Sequence, residues 1–322
     1  MVIEMEKKWF VGFFLVILTI ALSLVFMLGI GSNPAAGSVD SSDFANQNGD
    51  IAGSLSYQID MNSSMPANPE TILVYKTNPP IVNKETTLAL AKKFNVTGTL
   101  RGDCVVQSDD LMYGLEILKI SGSTRYTNAN RPNELMDSPN KLPSDKEAER
   151  IATQFLEGQD LFPKGAYFSG IERYYVKSMD KNGNEIQHYG RIEVKYGRAL
   201  NNIKVIGSGI TVAIGGNGDI IEYSTIWREY TPVKGFPLKS PETAFAELKK
   251  VGVKTGIETP SRVTINNVYL AYASKAPAFE EDYLEPVWVF KGEKTMKDAQ
   301  TRPVTEYIPA LTDDAVKSLS SS

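Results

Sequence analysis

Ser178-Met-Asp-Lys181 has the Ser-x-x-Lys spacing by which a serine nucleophile and a lysine base can act one helical turn apart, and Lys254-Thr255-Gly256 has the form of the companion motif of such sites. That chemistry needs the serine at the start of a buried helix. Here alternating residues lead into Ser178 and Asn182-Gly183 follows at once, so the serine is expected at a strand end before a hairpin turn. Asp180, Asn182, Asn184 and Glu185 crowd oxygen ligands as a calcium loop does, but the glycine falls at the fourth place rather than the sixth. A solvated hairpin accounts for them without a metal. Gly207-Ser-Gly209 lacks the third glycine of a dinucleotide loop and lies between alternating strand residues, which marks a bulge or bend. His188, beside Tyr189 in a strand, has no partner nearby in sequence and reads as a surface or packed residue. No catalytic, cofactor-binding or metal-ligating residue is expected.

Two kinds of residue remain as contact candidates. Glu280, Glu281 and Asp282, with Glu285 close behind, form the densest acidic cluster; in a cleft such carboxylates could do acid and base work, whereas in a Pro-rich loop they are solvated. Tyr174, Tyr175 and Trp227 lie in strand-like segments, and the adjacent tyrosines must point to opposite faces, which leaves one free to be exposed. Exposed aromatic residues on a sheet are good contact anchors. The expected interaction surface is therefore Tyr174, Tyr175, Trp227, Glu280, Glu281 and Asp282. Asn62-Ser-Ser64 and Asn95-Val-Thr97 fit the glycosylation pattern, so Asn62 and Asn95 are possible attachment points.

Composition narrows the classes further. The 322 residues carry 34 basic and 38 acidic side chains, without the positive excess that phosphate tracking needs, so no nucleic-acid partner is expected. One cysteine, Cys104, and one histidine cannot make a disulfide or a closed zinc site.

Residues 9–30 are apolar and free of charge, and at ~1.5 Å per helical residue they reach roughly 33 Å, about a bilayer core. The run is longer than the apolar part of most signal peptides, which favours a retained anchor over a cleaved signal. Lys7 and Lys8 precede it and no Lys or Arg follows until Lys76, so the positive-inside rule places the N-terminus in the cytoplasm and the rest outside a cell membrane crossed once. The expected organisation is a short cytoplasmic N-terminus over 1–8, a transmembrane helix over 9–30, a flexible Gly/Ser/Asn/Asp/Pro-rich stalk over 31–68, a first α+β unit over 69–137, a larger region of two further units over 138–310, and a frayed polar tail over 311–322.

Three amphipathic helices are expected over 83–94, 144–155 and 240–251, each opened by a residue able to cap it: Asn83, Ser144 with Glu147 as a capping box, and Ser240 followed by Pro241. Aligned on these caps they share an inward stripe, Thr87, Leu90, Ala91 and Phe94 in the first and Ala148, Ile151, Ala152 and Phe155 in the second. Alternating runs over 112–120, 123–126, 166–178, 185–196, 203–214, 219–230, 262–274 and 283–291 read as antiparallel strands. The class is α+β, with repeated units of a helix followed by a meander.

A capped helix followed by antiparallel strands with a glycine turn, as in Ser121-Gly122-Ser123-Thr-Arg-Tyr126 and Gly218-Asp-Ile-Ile-Glu-Tyr223, resembles the PepSY-like domains. Tyr283-Leu-Glu-Pro-Val-Trp-Val-Phe290 is similar to the closing strand of the related YycH and YycI regulators. The resemblance covers roughly residues 70–292 and brings no catalytic residue with it. It implies a membrane-anchored domain that binds and restrains a partner, a sensor kinase or a protease. An extracellular small-ligand binding module and a carboxylate-dependent envelope enzyme stay open as alternatives.

Overall fold

The alternation over 166–226 becomes four consecutive antiparallel strands: β7 (Ala166–Met179), β8 (Glu185–Leu200), β9 (Ile203–Ile214) and β10 (Ile220–Ile226). They belong to a computed structural model that describes residues 55–129, 141–254 and 258–320. Beyond β10 the sheet continues through β6 (Thr124–Asn128), β5 (Tyr113–Ile117), β4 (Val105–Gln107) and β3 (Thr99–Arg101). Ile192, Val194 and Tyr196 of β8, with Ile210, Val212 and Ile214 of β9, line one face, as period-two alternation requires. Helices α1 (Lys84–Lys93) and α2 (Asp145–Gly158) cover that face together, and Phe94 stacks on Tyr126 at 4.7 Å and meets Phe155 at 6.0 Å.

A second core lies in the remaining strands. There β12 (Arg262–Ala273) pairs with β13 (Tyr283–Thr295), β13 with β14 (Thr301–Pro309) and, at its start, with β2 (Thr71–Asn78), and β2 with β11 (Glu229–Pro237). Helices α3 (Pro241–Val251) and α4 (Asp313–Ser320) bury Ala244, Leu248 and Ala315 against Trp288, Phe290 and Leu284. Trp288 is fully enclosed, and its indole N–H donates to Lys239 O at 2.9 Å, so its burial leaves no orphaned donor.

The two parts meet where β9 and β12 pair in parallel at Val205–Tyr272 and Ile206–Ala273. Gly207 makes this passage possible: its φ is +78°, and a Cβ there would lie 2.6 Å from Ser274 O.

These observations correct the expected fold. The described residues form one large mixed sheet with four α-helices, not repeated PepSY-like units of a helix on an antiparallel meander. The first two helices share one sheet and one core instead of heading separate units, and the described chain passes from the second core, through β2, to the first, and returns at β11. Similar stripes arise because any helix on a sheet needs one, which is why alignment on caps suggested repetition. The segment 219–230 is likewise two strands, because Arg228 is buried between β10 and β11 and turns the chain into the second core.

Two expected boundaries also move. Within the expected stalk, β1 (Gln58–Met61) pairs in parallel with β12 and buries Ile59, while the Tyr57 hydroxyl accepts from Val253 N at 2.9 Å. A polar run acquires order here because a distant strand supplies its backbone partners. In the expected frayed tail, Leu311 is buried ahead of α4, and within α4 Ala315 is buried and Leu319, one turn on, packs on the same core. The expected cytoplasmic N-terminus over 1–8, the expected membrane span over 9–30 and residues 31–54 of the stalk expected over 31–68 lie outside the described residues, and no helix among the described residues is long and apolar enough to cross a membrane. The membrane-spanning element of the expected fold therefore has no counterpart in the fold described.

The capping expectation holds in part. Ser144 Oγ accepts from Glu147 N at 3.3 Å, but the Glu147 carboxylate turns to Arg150, at 2.5 Å. The reciprocal box sits at Asn83 instead, where Thr86 N donates to Asn83 Oδ1 and Asn83 N to Thr86 Oγ1, both at 3.0 Å.

Candidate interaction surface

Strands β7 and β8 run on past the rest of the sheet. The last β8 residue paired with β9 is Ile192, whereas β7 and β8 stay paired out to Met179 and Glu185. Among the described residues the stretch 175–189 is thus a two-stranded ribbon, extending about 17 Å over five residues per strand. Its turn is built by Asp180, whose Oδ1 accepts from Asn182 N and Asn184 N, both at 2.8 Å, while Gly183 takes φ +81°. The Asn184 side-chain amide, which donates to Asp180 Oδ2 at 3.0 Å, and these backbone hydrogen bonds hold the Asp180 carboxyl below the ordinary carboxylate range, and the expected crowd of oxygen ligands is a turn that satisfies itself.

The ribbon carries apolar side chains on both faces. Tyr175 is 50% exposed, Val176 52% and Met179 70%, and Ile186 and Phe168 are exposed on the same two strands. The other large exposed apolar side chains stand singly along the sequence. Here five lie on one hairpin, as interaction sites do. Tyr175 faces Tyr189, with ring centroids 6.4 Å apart, and Lys177 pairs with Glu185 at 2.8 Å on that side. On the other side Ser178 Oγ and His188 Nε2 are 2.9 Å apart. The sequence reading overlooked this contact, although the Asn182-Gly183 turn fixes the register that makes it. Ser178 is exposed and in a strand, so the buried helical setting of a Ser-x-x-Lys nucleophile is not present.

Tyr174 stands at the base of the ribbon and faces away from Tyr175. Its hydroxyl donates to Glu172 at 3.0 Å, the Arg191 guanidinium lies 4.9 Å from its ring centroid, and burial beside Glu193 and Glu172 pushes its pKa up. It belongs to a ladder of ion pairs on the outer sheet face: Lys195–Glu172 at 2.7 Å, Arg191–Glu193 at 2.7 Å and Arg125–Glu222 at 3.1 Å.

The other expected contact residues are elsewhere, at the junction of the two cores. Glu281 is buried, not presented to a partner. Its carboxylate accepts from Tyr230 at 2.8 Å, Thr77 at 3.2 Å and Lys275 N at 2.5 Å, and it lies 4.0 Å from Arg228 Nε. Arg228 in turn donates to Ser274 Oγ and to the carbonyls of Lys275, Ala276 and Phe279, which pins the loop 274–282. Trp227 is half-buried, and the Arg198 guanidinium is stacked between it, at 4.5 Å, and Tyr230, at 4.6 Å. Desolvation pulls the Arg198 pKa down and pushes that of Tyr230 up. Glu280 and Asp282 are exposed on either side of Glu281, so the acidic cluster divides between inside and outside. Arg198 and the ribbon residue His188 are ten positions apart on β8, about 33 Å, so the six expected contact residues do not form one surface.

Asn62 and Asn95 are both exposed, Asn62 with its amide donating to Asn266 Oδ1 at 3.4 Å, and Asn95 at φ +56° directly after α1. Among the described residues no group of three His, Cys, Asp or Glu side chains is placed to hold a metal. A groove of about 240 Å³ beside Phe162, Tyr223 and Trp227 is smaller than common ligand clefts of about 300–1,000 Å³, and one of about 380 Å³ beside Leu88, Val96 and Val106 is at their low end. Tyr223, enclosed at its floor, has its pKa pushed up to about 12 by burial.

No family model matches this chain, and no curated protein matches it. Among solved structures it is similar to an uncharacterized protein from Eubacterium rectale, at 12% identity over 78% of this chain and 86% of that one, with a TM-score of 0.41.

Proposed function

We propose that this chain is a non-enzymatic binding protein of the cell envelope that regulates or restrains a protein partner, a sensor kinase or a protease, and that it contacts the partner through the β7–β8 ribbon. The observation that carries the reading is the concentration of Tyr175, Val176, Met179 and Ile186 on a protruding hairpin. Exposing these side chains costs the monomer solubility, and a partner that covers them recovers ~25 cal/mol per Å² of apolar area. Placement outside the membrane is supported by the charge-free run 9–30 behind Lys7 and Lys8 and by the absence of Lys or Arg from there to Lys76. The carboxylate-dependent alternative draws no support from Glu281, whose oxygens are occupied by three donors in a closed site.

The test is affinity purification of the full chain from crosslinked membranes. A stoichiometric protein partner is expected, absent from a Tyr175→Asp/Met179→Asp double variant whose melting temperature is unchanged. The same partner recovered equally with the double variant would overturn the assignment to the ribbon, and a bound small molecule without a protein would favour the ligand-binding alternative.

A further inference from the structure

Among the described residues five strands pair with one neighbour only: β1, β3, β7, β11 and β14. Free edges invite unwanted pairing, and proteins blunt them with shortness, proline, bulges or charged side chains. Four of the five are blunted by shortness or proline. β1 and β3 have four and three residues, β11 contains Pro232 and Pro237 with a register shift between Pro232 and Gly235, and β14 contains Pro303 and Pro309. β7 is different. It has 14 residues and no proline; its bulge, at Ser169, lies near its start, and from Gly170 to Met179 its edge is marked only by the charges of Glu172, Arg173 and Lys177, the irregularity at Tyr174/Tyr175 leaving Gly190 of β8 unpaired.

The side chains along this edge indicate what can pair with it. Arg173, Tyr175, Lys177 and Met179 form one row, on the face where Arg173 reaches Asp145 at the start of α2, at 2.6 Å. The row alternates cation and apolar residue. Its present carboxylates, Asp145 and Glu185, are 68% and 57% exposed, so these pairs are weak and open to sharing. A second copy fits poorly. Antiparallel pairing centred on Tyr174 or Val176 leaves Arg173 and Lys177 opposite Tyr175, Ile171 or Met179 with no carboxylate to meet them, and centred on Tyr175 it sets Arg173 against Lys177 of the copy. Like charges directly opposite destabilise a strand pair.

We infer that the free edge of β7 is a strand-addition site for an extended segment of the envelope partner, in which one row of side chains alternates acidic and apolar residues. The inference rests on the proposed function and specifies how the ribbon is read: main-chain hydrogen bonds supply affinity, and the alternating row supplies selectivity. Arg173 and Lys177 meet the acidic residues, and Tyr175 and Met179 meet the apolar ones.

A synthetic ten-residue peptide, with Glu and Val taking turns in one row and Thr in the other, serves as the probe against the full chain in detergent micelles. Saturable binding below about 1 mM is expected, weakened about tenfold by N-methylation of alternate peptide amides and about tenfold by Lys177→Glu in the protein. No binding at that concentration, or equal binding of the N-methylated peptide, would overturn strand addition. A dimer detected by light scattering and dissociated by Tyr175→Asp would overturn it in favour of a second copy. Failure of the peptide together with loss of the membrane partner in the Tyr175→Asp/Met179→Asp variant would reject strand addition while leaving the ribbon as the contact.

Discussion

Replacing Glu281 by Gln should destabilise the protein far more than an ordinary glutamate substitution, because Glu281 and Arg228 side chains are 0% and 1% exposed. The substitution keeps the volume and removes the charge, leaving Arg228 as an uncompensated cation in the interior. An amide in place of the carboxylate also offers one acceptor oxygen where three donors converge, from Tyr230, Thr77 and Lys275. Removing one member of a buried pair costs ~3–5 kcal/mol, although Arg228 keeps its bonds to three carbonyls and Ser274, so the low end, about 3 kcal/mol, is expected. For a chain of this size that lowers the melting temperature by roughly 6–12 °C. Thermal unfolding of the full chain in detergent, followed by circular dichroism, measures it. The double variant Arg228→Met/Glu281→Leu, which removes both charges, should lose less than the two single variants summed. A Glu281→Gln protein within about 0.5 kcal/mol of the parent would refute the view that this junction depends on a buried, charged acceptor.

Other perturbations test separate parts of the account. Asn83→Ala removes the reciprocal cap of α1 and should cost ~1 kcal/mol in denaturant unfolding, with an unchanged slope. Glu285 is pushed above the usual carboxylate range, first by desolvation and further by Glu281, against the opposing pull of Lys275 and Lys239. Its folded state holds the proton more tightly than the unfolded one, so its contribution is fully present below the ordinary value of about 4.3 and is lost as pH rises through the raised one. Glu285→Gln should therefore match the parent near about pH 4 and be more stable near about pH 7, as denaturation at both values would show. Gly207→Ala places a Cβ 2.6 Å from Ser274 O at positive φ and should cost ~1–3 kcal/mol, seen as a lower melting temperature.

Local structure was legible in the sequence where neighbours decide it. β9 spans Ile203–Ile214 and α3 spans Pro241–Val251, close to what alternation and the Ser240-Pro241 start imply. What the sequence hid are pairings made by distant residues. β1 forms because β12 offers a parallel edge, and α1 and α2 share a core because β6 and β10 are neighbours, although the two strands lie some ninety residues apart. At the proposed contact surface, the adjacent tyrosines at 174 and 175 do face opposite sides, and Tyr175 is the exposed one. Glu281 was misread because three acidic residues in a row give no sign that the middle one meets Arg228 and Tyr230, which stand about fifty positions earlier. Arg198 interrupts an alternating strand with a charge, and that was the available signal for the junction.

Site-specific photo-crosslinking in intact membranes tests the central claim most directly. A photoreactive residue at Met179 should trap one protein partner in high yield, and one at Val176 should trap the same partner. Ile81 and Val316, 78% and 46% exposed and away from the ribbon, should trap none. Equal crosslinking from Ile81 or Val316, or none from Met179 and Val176, would contradict the ribbon as the surface through which this protein acts.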